Sequence, residues 1–281
     1  MGKLEERLRT SAKRTSVVAV RGERATTRSD HVAGEEPMEI RAGGAGQEPV
    51  PVAVTMRTPG NDFELAAGFL FTEGLIAPQD IVKVSYCDAL DVTQEFNVVT
   101  VRLNKPFDSH GLERNFYAAS SCGICGKVSL DHVALQCPAI PPGLQVGRSL
   151  ITELPHKLRE GQKTFTRTGG LHAAGFFDAT GGPGGLREDV GRHNALDKLI
   201  GKALLAGDFN CTEQILMVSG RAGFEIVQKA AMARVPVVCA VSAPSSLAVD
   251  AAERLGVTLV GFLRGDDFNI YAHPERIDTS F

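Results

Sequence analysis

The stretch Ser120-Ser121-Cys122-Gly123-Ile124-Cys125-Gly126-Lys127 sets two thiols three positions apart, flanked by serines and glycines. Such a pair can be half a zinc site, a redox disulfide, a sulfur-handling loop, or two inert cysteines. Structural zinc needs four ligands, usually two pairs, and no second C-x-x-C occurs. A zinc deaminase needs H-x-E followed by P-C-x-x-C. Here His172 lies after the pair, leads into Ala173-Ala174, and no proline precedes Cys122. Zinc catalysis is not expected, and no metal ligand is assigned.

A thioredoxin-type pair sits at a helix N-terminus, where the dipole lowers the first thiol's pKa. "KVSLDHVALQ" supplies such a helix, with Leu130, Val133 and Ala134 at helical spacing. Gly123 and Gly126 loosen the loop, whereas a redox catalyst benefits from a fixed one; this reading stays open. Sulfur carriage fits better, because a persulfide must reach a donor's site and then an acceptor's, which favours a glycine-hinged cysteine. Lys127 and a nearby helix N-terminus favour the thiolate, the reactive form. A second thiol can expel sulfide by forming a disulfide, or hold a second sulfur. Inert burial suits the glycine and serine flanks poorly.

The rest of the chain bounds what this pair can serve. Its 281 residues suffice for two domains or one large one. A net charge of −3 gives no global basic field, so a nucleic-acid partner is not expected. No run approaches the ~18 apolar residues of a membrane span. The start "MGKLEERLRTSAKRTS" has no apolar core or cleavage site, so no signal peptide is expected. The expected setting is a reducing cytoplasm with free thiols. Cys211 and Cys239, in or beside apolar runs, read as core residues.

Residues 1–30 carry eight Lys/Arg against four Asp/Glu and read as a loosely ordered basic arm, with Val17–Val20 as a candidate first strand. Residues 31–115 read as a small α+β unit. There "PVPVAVTMRTPG" alternates Val50, Val52, Val54 and Met56 on one strand face. Asn61-Asp62 opens a helix over "FELAAGFLFTEG", closed by Gly74, and "VKVSY" and "FNVVTVRLN" follow as strands. Residues 116–281 read as an α/β domain carrying the cysteine loop. "EDVGRHNALDKLIGKALLAG" is a helix there. Strand "QILMVSG", helix "FEIVQKAAMAR", strand "VPVVCAVSA", helix "SSLAVDAAERLG" and strand "VTLVGFLRG" follow. Near-continuous apolar strands alternating with helices predict a parallel stretch of sheet.

Ligands of open α/β sheets bind beyond the carboxyl ends of the strands. Three ends are visible: Ser219-Gly220-Arg221-Ala222-Gly223, Ser242-Ala243-Pro244-Ser245-Ser246, and Phe262-Leu263-Arg264-Gly265-Asp266-Asp267. The first two feed helix N-termini, where backbone N–H groups and the dipole favour an anion. Arg221 and Arg264 add charge for phosphate. Asp266 or Asp267 can accept the paired donors of a guanine edge. His172 and His193 read as structural histidines. Neither G-x-G-x-x-G nor G-x-x-x-x-G-K-[ST] occurs.

"SSCGICGK", "MRTPGNDFELAAGFLFTEGLI", "EDVGRHNALDK", "SGRAGFEIVQKAA" and "FLRGDDFNIYAHPERI" together resemble the formate dehydrogenase accessory sulfurtransferase family (FdhD-type), from Glu36 to Ile277. The resemblance implies a cytidine-deaminase-like α/β fold without the zinc site. It implies a persulfide sulfur carrier moving sulfur from a cysteine desulfurase to the molybdenum of Mo-bis(molybdopterin guanine dinucleotide). That step precedes cofactor insertion into formate dehydrogenase. It further implies Cys122 as the persulfide cysteine, Cys125 as its partner, residues 262–267 as a cofactor-binding segment, and a homodimer. The bound cofactor is cargo, with no resident metal expected. Two rivals are a cofactor-binding chaperone whose cysteines only hold the molybdenum centre, and a C-x-x-C redox or deaminase-like enzyme.

Overall fold

The computed structural model describes residues 10–86, 96–108, 137–207 and 209–280. Cys87, the Cys122–Cys125 pair and the helix expected over "KVSLDHVALQ" lie outside them. The first strands, β1 (Ala12–Arg21) and β2 (Arg24–Ala33), form a ten-residue antiparallel hairpin. From Ala12 on, the loosely ordered arm is thus regular structure. Its charges matter less than its β-branched content, with Thr15, Val17, Val18 and Val20 on one strand and Thr26, Thr27 and Val32 on the other, Val18 facing Thr27, and than Gly22, which turns the chain at φ 59°.

Strands β3 (Glu36–Gly43) and β4 (Val50–Arg57), helix α1 (Asp62–Thr72), and strands β5 (Ile81–Tyr86) and β6 (Val98–Leu103) follow. The four strands form a sheet in the order β4-β3-β6-β5. The expected single face of β4 breaks in two. Ile40 pairs with Ala53 and Arg41 with Pro51, which leaves Val52 as the extra residue of a bulge. One inserted residue reverses the in–out alternation. Val52 is buried, while Val54 is 70% and Met56 48% exposed.

Next come β7 (Val146–Gly147), α2 (Arg148–Gly161), α3 (Lys163–Thr168), β8 (His172–Phe177), β9 (Pro183–Asp189) and α4 (Arg192–Leu205). The alternation β10 (Ile215–Val218), α5 (Phe224–Met232), β11 (Val237–Ala240), α6 (Ser246–Leu255), β12 (Thr258–Arg264) then leads to β13 (Asp267–Ala272) and β14 (Ile277–Asp278). The main sheet runs β13-β12-β11-β10-β8-β9. Pairs β10–β11 and β11–β12 are parallel, as the apolar runs predict, and the flanking pairs are antiparallel.

Helix α4 starts later than its sequence pattern suggests, because Glu188 and Asp189 belong to β9. Both carboxylates have other work: Glu188 accepts the Thr164 and Phe165 N–H groups at 2.9 and 2.7 Å, and Asp189 accepts the Gly191 N–H at 2.9 Å.

Alternate residues of the main sheet serve two cores. Ala174, Phe176, Leu216, Val218, Val238 and Leu259 face one side, with α1, α4, α5, α6 and the smaller sheet. Ala173, Phe177, Ile215, Met217, Val237 and Val260 face the other, against Ile151, Leu154 and Leu158 of α2. The architecture is mixed α/β, with one core running from Ile40 and Val101 to Val227. Helices α1 and α4 cross closely, since a Cβ at Gly201 would overlap the Glu64 carbonyl oxygen. Among the described residues no helix is long and apolar enough to cross a membrane.

Candidate functional site

The three strand ends lie side by side, tied by backbone bonds. Val241 N–H donates to Val218 O at 3.3 Å, Ser245 N–H to Ala222 O at 3.1 Å, and Phe262 N–H to Ser242 O at 3.2 Å. Successive strands stand roughly 4.8 Å apart, so the segments at Gly220 and Phe262 edge one surface about 10 Å wide. β10 reaches this edge pinned to its antiparallel neighbour. Ser219 Oγ accepts the Ala173 N–H at 2.9 Å, and the Ser219 N–H donates to Ala173 O at 3.0 Å.

Gly220 is needed for close approach. A Cβ there would stand 3.3 Å from His172 Nδ1 and 3.7 Å from Arg192 Cδ. Arg221 is exposed beside it. The N-termini of α5 (at Gly223) and α4 (at Gly191) carry no side-chain cap. The N-terminus of α6 differs from the expectation: Ser245 Oγ accepts the Ala248 N–H, so its own cap occupies that end.

The third end turns into a hairpin with β13 and feeds no helix. A register irregularity between Gly261 and Arg264 leaves Phe262 left-handed, φ 53°, with its side chain 41% exposed. A bulky residue there is strained, and such strain concentrates at functional positions. Leu263 is fully buried in the α2-side core, so its side chain serves packing. Arg264 folds back, its Nε donating to Val241 O at 3.2 Å. Gly265 (φ 56°) makes the turn, and Asp266 and Asp267 are exposed around it.

Sequence reasoning missed a cluster behind these ends. His172 heads β8 and Arg192 opens α4, both converging on Gly220, and His193, next on α4, lies close enough to act on the His172 charge. Burial holds the His172 imidazole below its usual pKa, with Arg192 and His193 adding repulsion, so it is neutral at pH 7. His193 Nδ1 lies 3.0 Å from Glu225 Oε2, and that bond lowers the Glu225 pKa against the effect of burial. Arg192 Nε is buried and finds no partner among the described residues. The one available signal was position: "GRHN" follows a strand directly.

A cleft of about 620 Å³ opens between α2, α3 and the strand ends, lined in part by Arg159, Gln162, Phe165, His172 and Ser219. The described cysteines offer no reactive thiol. Burial raises the Cys137 and Cys239 thiols and pushes Cys211 up to about 12; Cys211 and Cys239 are core residues, as expected.

Residues 33–278 match the FdhD/NarQ family. The chain is 49% identical over 272 residues to the sulfur carrier protein FdhD of Streptomyces coelicolor, covering 94% of this chain and 95% of that one. It is 47% identical over 266 residues to that of Sulfurisphaera tokodaii, covering 94% and 98%. A crystal structure described as a formate dehydrogenase accessory protein from Desulfotalea psychrophila shares the fold, with a TM-score of 0.72 at 23% identity, covering 96% of this chain and all of that one. With residues 33–278 matched by the family and the sequence matched nearly end to end by its relatives, the chain belongs to the FdhD/NarQ family.

Proposed function

We propose that this chain is a sulfur carrier in formate dehydrogenase maturation, loading sulfur onto a molybdenum–guanine dinucleotide cofactor held at the strand ends. The observation that carries the reading is the Cys122–Cys125 pair in a chain 49% identical, nearly end to end, to a protein named as a sulfur carrier. The Cys122 thiolate attacks the outer sulfur of a cysteine desulfurase's persulfide. The donor's S–S bond breaks, its cysteine leaves as thiolate, and Cys122 becomes the persulfide. Attack by the Cys125 thiolate on the Cys122 inner sulfur then forms a disulfide and releases hydrosulfide to the metal. A dithiol reductant supplies the two electrons that reopen the disulfide.

The cofactor's diphosphate suits the uncapped α5 N-terminus beside Gly220 and Arg221. Phe262 offers an exposed ring, Arg264 a cation, and Asp266 or Asp267 the acceptors for a guanine edge.

The test follows the sulfur. Incubation with a cysteine desulfurase and cysteine should add reductant-labile sulfur to the peptide holding Cys122, read by mass spectrometry. A Cys122→Ala variant labelled at the wild-type level would end this reading. Guanosine diphosphate should bind more tightly than adenosine diphosphate, and equal affinity would remove the guanine site.

A further inference from the structure

The β1–β2 hairpin carries two features that its own folding does not need. The first is at its tip. Arg21 and Arg24 stand directly opposite each other on either side of the Gly22-Glu23 turn, both exposed. Like charges set face to face destabilise a strand pair, and neither guanidinium meets a carboxylate among the described residues. The second is a face. Ser16, Val18 and Val20 share one side of the ribbon with their partners Ser29, Thr27 and Ala25. That side bears no charge, and Val18 is 66% and Val20 70% exposed.

The opposite side carries Arg21, Arg24 and Arg28, the last paired with Asp30 at 3.0 Å. Residues 12–33 hold five Lys/Arg against two Asp/Glu, in a chain whose net charge is −3. From Ser16 to Ser29 no residue is buried, and a two-stranded ribbon alone is marginally stable in water. An open apolar face edged by opposed cations has the composition of a contact surface: an apolar centre with a charged rim.

The base of the hairpin fixes where that surface stands. The hairpin packs against α3, and Gly34 N–H donates to Ser11 O at 2.9 Å. Lys13 Nζ lies 2.8 Å from Glu36 Oε1, tying β1 to β3. A Cβ at Gly170, which lines the cleft beside the strand ends, would stand 3.4 Å from Ala33 Cβ. The ribbon is thus rooted on the rim of that cleft.

We propose that the hairpin is a docking arm for the protein that receives the cofactor. Its uncharged face packs on an apolar patch of that partner, and Arg21 and Arg24 meet an acidic rim around it. This rests on the sulfur-carrier reading above. The recipient must draw the cofactor from the strand ends, so its surface has to come to this rim, whereas the sulfur donor needs only Cys122. Complementary charge at such a rim governs the association rate and its salt dependence, and the apolar centre governs how long the complex lasts.

The test measures binding of cofactor-free formate dehydrogenase to the full chain by biolayer interferometry, with amide hydrogen exchange of the mixture. Wild-type binding should weaken as salt rises from about 50 to about 300 mM, and the complex should slow exchange over residues 16–29. Arg21→Ser with Arg24→Ser should lower the association rate about tenfold and flatten the salt dependence. Val18→Ser with Val20→Ser should raise the dissociation rate about tenfold. No complex with the wild type, or a complex that leaves exchange over residues 16–29 unchanged, overturns the proposal even if the variants fail to fold. So does wild-type binding by both folded variants. Cys122 labelling by a cysteine desulfurase should proceed at the wild-type rate in both, and a loss there with formate dehydrogenase binding intact would give the arm to the donor and overturn the assignment. Labelling that fails in the wild type removes the sulfur-carrier reading, while the hairpin contact is still measured directly.

Discussion

Between α1, α4 and α5, Lys229 Nζ meets Thr72 Oγ1 at 2.8 Å, Glu73 Oε1 at 2.7 Å and Asp197 Oδ2 at 3.1 Å. Thr72 Oγ1 donates to the other Asp197 oxygen at 2.7 Å. On the next residue of α4, Lys198 Nζ reaches Asp189 Oδ2 at 2.6 Å and Thr58 O at 2.7 Å. At the strand ends Arg192 Nε is as well hidden from water but has no such partner among the described residues. Both regions bury polar groups where few contacts with water remain. In the first, every charge has a counterpart, and the network fixes how three helices meet. In the second, protein partners are withheld, which is sensible only where something else will supply them.

The difference should be largest on breaking the satisfied network. Asp197→Ala leaves the Lys229 ammonium, 2% exposed, with only the partly exposed Glu73 as counter-charge, and removing one partner of a buried pair typically costs about 3–5 kcal/mol. Urea unfolding should show this as a lower midpoint at unchanged slope. A loss under about 1 kcal/mol would mean that the network does not hold the helices. The double replacement Asp197→Leu with Lys229→Met should recover most of the loss, since no orphaned charge remains.

Phe262 sharpens the contrast from the other side. A left-handed φ costs a residue with a Cβ about 1–2 kcal/mol, and Phe262 holds φ 53° while exposed. Phe262→Gly should therefore raise the unfolding free energy by about 0.5–1 kcal/mol, in thermal or urea melts, while weakening cofactor binding. A destabilised variant would show that the ring packs in the free protein, and that the strain serves the fold.

Most of the fold was legible because its signals are local. The runs "QILMVSG", "VPVVCAVSA" and "VTLVGFLRG" are apolar throughout and bounded by glycine or small residues, so the parallel strands and the strand-end surface could be read directly. What escaped depends on partners far along the chain. The bulge at Val52 exists only because of how β4 pairs with β3. Glu188 is a strand residue because it caps the N–H groups of Thr164 and Phe165, 24 and 23 positions earlier. His172 meets Gly220 because β8 pairs antiparallel with β10. Arg192 has no pattern around it at all, and only its buried Nε without a partner among the described residues marks it.

A smaller effect is expected at Gln162. Gln162 borders the cleft at 4% exposure, and its carboxamide bonds to none of the described residues, so Gln162→Leu should change stability by less than about 1 kcal/mol. A loss above 1 kcal/mol would mean that the amide already has a partner, placing Gln162 with Lys229 and Asp197.

The smallest effect is a slope, carried by His172. Its imidazole is half-buried, facing Arg192 and His193 as like charges and Asp189 as the opposing one, with a pKa below the ordinary value near 6.5. The unfolded chain therefore takes up a proton on this ring at a higher pH than the folded chain does. Stability rises with pH wherever the unfolded state binds more protons. The contribution of His172 is thus fully present above pH 6.5 and is lost as pH falls through the folded pKa. Glu225, also lowered, contributes with the same sign but in a window below its own unfolded value near 4.5, outside the range from pH 7.5 to 5.5. Urea midpoints measured from pH 7.5 down to 5.5 should fall for the wild type and fall less for His172→Gln. If the two proteins lose stability in parallel, the ring is not held neutral. The strand-end cluster would then be as electrostatically settled as the helix network, and the contrast between the two regions would rest on Arg192 alone.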